Sequence, residues 1–155
     1  MTTYALNLET NATTQYGDSF DFNSLTQAHD GRYYAMNASG LCLLDGDDDD
    51  GDPIEAMIGL GQSDLGSDQR KRLRVAYLGV ESDTPMVLVL GAEGEQYELP
   101  ARSASDEHQQ QRVDVCRGAR ANLFTLDLYN SGGSDFKLSA LTVVPAASAN
   151  RRFGS

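Results

Sequence analysis

Apolar and β-branched residues alternate with polar ones in short runs along this chain, and Gly, Asn, Asp and Ser punctuate the runs. A period of two is the signature of half-buried strands, and the punctuating residues are those that tight turns require. Five runs precede residue 45: residues 4–8, 12–16, 25–28, 32–36 and 40–44. Seven follow, at 54–60, 73–80, 86–90, 96–99, 112–116, 123–129 and 136–144. The alternation predicts that Phe124, Leu126 and Leu128 share one face against Thr125, Asp127 and Tyr129. It likewise sets Phe136, Leu138 and Ala140 against Lys137, Ser139 and Leu141. Phe20 and Phe22 stand two apart, so both rings point one way. Residues 102–111, with Ser, Asp, Glu, His and three Gln, predict a polar connection or one short helix.

The two stretches either side of residue 45 differ in kind. Before it, Tyr4-Ala5-Leu6-Asn7 returns thirty residues later as Tyr34-Ala35-Met36-Asn37, each copy followed by a turn and another strand. Two related hairpins of this sort have the form of a propeller blade, which cannot bury its own faces and leans on other surfaces. After it, seven strands at short spacing predict an antiparallel β-sandwich of jelly-roll or Ig-like kind. The expected organisation is therefore all-β: a blade-like hairpin region over 1–44, an acidic linker loop over 45–53, a sandwich over 54–145 and a flexible tail over 146–155.

Charge sharpens this division. The formal charge is −11, but residues 1–69 hold 13 acids against Arg32 alone, whereas residues 70–155 hold 10 acids and 11 bases. Six of the acids fall within eight residues, at Asp45, Asp47, Asp48, Asp49, Asp50 and Asp52. Unpaired charges so crowded cannot enter a core, and Gly46, Gly51 and Pro53 break regular structure, so the run is a surface loop. An acidic half and a basic cluster at Arg70, Lys71, Arg72 and Arg74 permit copies to meet head to tail, and the balance disfavours wrapping nucleic acid. No run reaches the roughly 18 apolar residues of a membrane span, and the opening residues lack a signal-peptide pattern, so a cytosolic product is expected. Cys42 and Cys116 lie in apolar contexts without CxxC spacing and read as buried reduced thiols.

Candidate chemistry is sparse. Asp45, Asp47 and Asp49 have the alternate spacing of a calcium loop, but an EF-hand register starting at Asp45 would want Gly and Glu where Asp50 and Ala56 stand. Calcium on a looser loop therefore competes with a solvated acidic contact surface. His29 and His108 read as exposed imidazoles in polar turns, no Ser has a nucleophile-elbow context, and Gly59-Leu60-Gly61 lacks the Lys of a P-loop. No catalytic constellation emerges, and no cofactor is called for. Arg70, Arg72 and Arg74, with Arg151, Arg152 and Phe153 of the tail, are the expected partner-binding residues, guanidinium groups pairing with carboxylates and the ring entering a pocket. Arg117-Gly118-Ala119-Arg120 reads as a turn whose arginines make similar contacts.

The order of these pieces resembles a known family. Phe20-Asp21-Phe22-Asn23-Ser24, Tyr33-Tyr34-Ala35, Leu43-Leu44-Asp45-Gly46-Asp47-Asp48, Pro53-Ile54-Glu55-Ala56, Tyr77-Leu78-Gly79-Val80, Arg117-Gly118-Ala119-Arg120-Ala121-Asn122 and Asp135-Phe136-Lys137-Leu138, together with Tyr4-Ala5-Leu6-Asn7, are similar to small virion structural proteins of tailed bacteriophages. The resemblance implies a non-enzymatic β-rich building block of the virion, assembled in the host cytoplasm and placed in the tail, tail tip or head-to-tail region. Its partners would be other copies and other virion proteins, with neither nucleic acid nor membrane bound directly. The alternative expectation is a carbohydrate- or receptor-binding sandwich at the virion periphery, contacting a host surface glycan.

Overall fold

The computed structural model describes residues 3–17, 20–46, 48–49 and 51–147, and among them every regular element is a strand. None of the described residues forms a helix long and apolar enough to cross a membrane. All strand pairings are antiparallel. The chain divides into two compact units, Met1–Gly46 and Asp47–Ser155.

In the first unit, β1 (Thr3–Leu6) pairs with β2 (Thr13–Tyr16), and β3 (Ser24–Gln27), β4 (Tyr33–Asn37) and β5 (Gly40–Leu43) form a three-stranded meander. The sequence echo has a structural meaning. Asn7 Oδ1 accepts the backbone N–H groups of Glu9 and Thr10 at 2.9 and 3.1 Å, and Asn37 Oδ1 accepts those of Ser39 and Gly40 at 2.9 and 3.1 Å. Each copy thus ends a strand in the same side-chain-capped turn. Tyr16 stacks on Phe20 with centroids 4.2 Å apart, and Phe22 meets Phe20 edge-on at 4.9 Å. Beyond this ring cluster little is enclosed, for Ala35 is the only buried apolar residue described in the unit.

The second unit holds the core. After the two-residue strands β6 (Asp48–Asp49) and β7 (Asp52–Pro53) come β8 (Met57–Ser63), β9 (Lys71–Ser82), β10 (Val87–Ala92), β11 (Glu95–Pro100), β12 (Ser105–Asp114), β13 (Arg120–Ala121), β14 (Phe124–Tyr129) and β15 (Phe136–Ala147). One sheet has the order β11-β10-β14-β8. In the other, β9 is central, with β15 along one side and β12 followed by β13 along the other. Leu73, Ala76, Leu78 and Val80 of β9 join Leu88, Leu90, Phe124, Leu126 and Leu128 of the first sheet in one buried cluster. The alternation expected for β14 is present, since Phe124, Leu126 and Leu128 are buried and the residues between them half-buried.

Two expectations fail, for identifiable reasons. Residues 105–111, expected in a connection or helix, instead extend the strand expected from residue 112 backwards to form β12. Its first half is exposed or half-buried on both faces, and only Gln111 and Val113 turn inward to buried positions, near the point where Val113 bridges Ala101 on the strand's other side. The face assigned to Ala140 is also wrong. The register of β15 against β9 shifts between Leu138 and Ala140, so Leu141 and Val143 join Phe136 and Leu138 against the core. Ser139, the extra residue, donates its hydroxyl to Gly79 O at 3.0 Å, and a Cβ at Gly79 would lie 2.7 Å from that Oγ.

Candidate functional site

The described part of the acidic run forms a short two-strand ladder, Asp48–Asp49 against Asp52–Pro53. Asp49 lies directly opposite Asp52 in the two-strand ladder, Gly51 has φ +91°, and Asp48 Oδ1 accepts the Gly51 N–H at 3.0 Å. A positive φ is why Gly occupies that place. Asp45, Asp48, Asp49 and Asp52 are exposed. Of the three expected calcium ligands, Asp45 and Asp49 stand in this exposed stretch, and Asp47 lies outside the described residues. Among the described residues no group of three His, Cys, Asp or Glu is arranged to hold a metal.

The turn is anchored at its far end by a residue with no sequence signal beyond its turn-prone type. Buried Asn130 accepts the Ala56 N–H at 2.8 Å and donates to Ile54 O at 3.1 Å and Ser134 O at 2.9 Å. Gly133 completes the clamp: a Cβ there would lie 2.4 Å from Pro53 Cβ and 2.8 Å from Ile54 N. The backbone leaving the acidic turn is therefore fixed against the loop between β14 and β15.

The basic run does not act as one cluster. Arg70 pairs with Glu93 at 2.7 Å. Lys71 is buried, its ammonium donating to the carbonyls of Ser67, Gln69 and Asn122, which makes it a tether for the loop before β9. Arg72 and Arg74 remain, and the fold brings them to the turn that the sequence left separate. The ladder along one side of β9 breaks between Asp114 opposite Val75 and Arg120 opposite Arg72. On the other side, Val75 is opposite Val144 and Leu73 opposite Pro145, so Arg74 has no register partner on either neighbour. In this gap Arg72, Leu73, Arg74, Val115 and Arg117 line a cavity of about 160 Å³.

Arg120, directly opposite Arg72, adds a like charge on the same face. Among the described residues Arg72, Arg74, Arg117 and Arg120 have no acidic group within 4.0 Å. Asp114, beside Val115 in the chain, is already taken by Arg102 and by Arg112 at 2.9 Å. The hydrogen bond from Arg102, with that from Arg112 and both positive charges, holds the Asp114 carboxyl below its ordinary range against a smaller opposing effect of desolvation. What remains is a pocket of guanidinium groups whose natural complement is an oxyanion.

Other surfaces have a different character. The meander of the first unit exposes Met36, opposite Leu41, and Leu43, opposite half-buried Tyr34, on one face, and Leu25 and Tyr33 on the other. The outer face of the β10–β14 sheet carries an open cleft of about 630 Å³ whose lining includes Gln62, Gln96, Asn122, Thr125 and Asp127, and no aromatic ring. Tyr129, near this face, has its hydroxyl pushed up by burial and then by the charges of Glu98 and Glu55. His108 is exposed on β12 within 3.0 Å of the Ser139 hydroxyl, and both cysteines are free and half-buried. The expected partner residues Arg151, Arg152 and Phe153 lie outside the described residues. No family model, curated protein or solved structure matches this chain.

Proposed function

We propose that this chain is a non-enzymatic structural or adaptor protein of a phage particle, working through protein–protein contacts in the tail, tail tip or head-to-tail region. The observation that carries the reading is the uncovered apolar surface of the first unit. Met36 is 51% exposed and its cross-strand partner Leu41 63%, in a unit where Ala35 alone is buried among the described apolar residues. Contiguous apolar surface of this kind is costly in water and marks a face that another protein covers. The phage assignment itself rests on the similarity of the order of turns and strands to virion proteins. In this reading the first unit is blade-like, and the second is a β-sandwich of jelly-roll or Ig-like kind. Partners are other copies and other virion proteins, in an interface above about 1,000 Å². Native mass determination, together with mass spectrometry of purified particles, tests it. A compact monomer absent from particles would overturn it.

The cleft on the β10–β14 sheet favours a second reading, a carbohydrate- or receptor-binding module at the virion periphery. Amide, hydroxyl and carboxylate groups there suit the hydroxyls of a glycan, although the ring platform that sugars commonly stack on is missing from the lining. A glycan array without saturable binding, with and without calcium, would remove that reading.

A further inference from the structure

We infer that the acidic turn at Asp49 and Asp52 of one copy docks on the Arg72 and Arg120 pair of a second copy, beside the Arg74 and Arg117 cavity. This deepens the contact-forming reading and rests on it. Two features of opposite sign carry it. Asp49 faces Asp52 across a two-residue ladder, and Arg72 faces Arg120 across another. Like charges directly opposite on paired strands repel, and a sheet ordinarily avoids them. In both places the pair is held by the backbone, and among the described residues none of the four has a counter-ion.

The geometries match. Directly opposed residues hold their Cβ atoms roughly 5 Å apart, so the Asp pair and the Arg pair leave their ladders at the same backbone spacing, and the long arginine stems can close on the shorter carboxylates. The bulge at Arg74 and the 115–119 excursion open the cavity beside the arginine pair. At about 160 Å³ it has room for a further carboxylate with bound water, and exposed Asp48 and Asp45 lie next in the acidic stretch. The clamp of Asn130 and Gly133 on Pro53, Ile54 and Ala56 fixes the exit of the acidic turn, which limits the entropy lost on docking. The contact joins two different patches, so it closes either as a two-fold dimer with the docking made twice or as a head-to-tail ring or filament.

Sedimentation velocity of the full chain tests this with two double variants, Arg72→Gln with Arg120→Gln and Asp49→Asn with Asp52→Asn. Each removes a repelling pair, so both should fold, and thermal melting verifies that they do. The wild-type chain is expected to assemble at low salt and dissociate as salt rises. Each variant alone should lose at least about tenfold in association constant. Mixed together they should form a particle of two chains and nothing larger, since only one intact turn and one intact arginine pair can meet. Assembly that survives both variants would overturn the docking and leave the contact-forming reading in place. A wild-type chain that stays monomeric at low salt would overturn the docking and remove self-association from that reading. Inorganic phosphate is the competing probe: dispersal of the assembly supports the inference. Equal thermal stabilisation of wild type and the Asp variant, with no assembly in either, would make the pocket a small-anion site instead.

Discussion

At the scale of single residues, the side chains that matter most here are polar ones in unusual positions. Gln111 is 1% exposed and neither its Oε1 nor its Nε2 has a partner among the described residues. An unsatisfied buried amide costs about 1–3 kcal/mol, and Met has similar volume without the polar atoms. Gln111→Met is expected to raise the unfolding free energy by about 1–2 kcal/mol in urea titrations. Asp114 gives a pH signature. Its carboxyl is depressed in the folded chain, so its contribution is present at neutral pH and is lost as pH falls from about 4 through the lower folded value. Asp114→Asn should therefore lower stability at neutral pH and flatten the acid limb of the melting-temperature profile. The charges of these residues were legible in the sequence, but not their partners. Arg117 and Arg120 read as a turn with pairing potential, whereas their meeting with Arg72 and Arg74 depends on a register some 45 residues distant along the chain.

At the scale of elements, strand positions follow from local alternation, and faces follow from bulges. The strand from Lys71 to Ser82 buries Leu73 and then Ala76, three residues on, because the irregularity at Arg74 resets its phase. Nothing in Arg72-Leu73-Arg74-Val75 announces this. The loop between β14 and β15 offers a direct test of a close approach. Gly132 and Gly133 both have positive φ, at +71° and +74°, but only Gly133 abuts other atoms, the Pro53 and Ile54 backbone. Gly132→Ala is expected to cost only the left-handed strain, about 1–2 kcal/mol. Gly133→Ala should cost more and should speed amide exchange at Ala56, since the clamp must open to admit the methyl group.

For the whole molecule, the two units differ in how they are held. The second contains the Leu, Val and Phe residues that fill a two-sheet core, and the first, among its described apolar residues, buries only Ala35 and exposes Leu25, Tyr33, Met36, Leu41 and Leu43. A unit of about 45 residues is marginal even with a good core. Residues 47–155 expressed alone are expected to melt cooperatively, with near-native circular dichroism. Residues 1–46 alone are expected to show no cooperative transition and to gain structure only with a partner. A sharp melt of the 1–46 fragment would contradict this.

The sequence by itself determined the all-β class, most strand positions, the turns capped by Asn7 and Asn37, and the exposure of the acidic run. Each depends on geometry within a few residues: a period of two, a side chain reaching its own backbone, a charge that cannot leave water. Tertiary structure alone decided that β12 reaches back to Ser105, which way Ala140 and Leu141 face, and that Asn130 and Gly133 hold the exit of the acidic turn. It also decided that Arg72 and Arg120 stand side by side while Arg70 and Lys71 are engaged elsewhere. Those outcomes depend on pairing register between distant strands, where one extra residue reverses a face and a missing Cβ admits a neighbour. The run that reads in sequence as an acidic surface loop thereby holds Asp49 directly opposite Asp52 on a ladder whose exit is clamped.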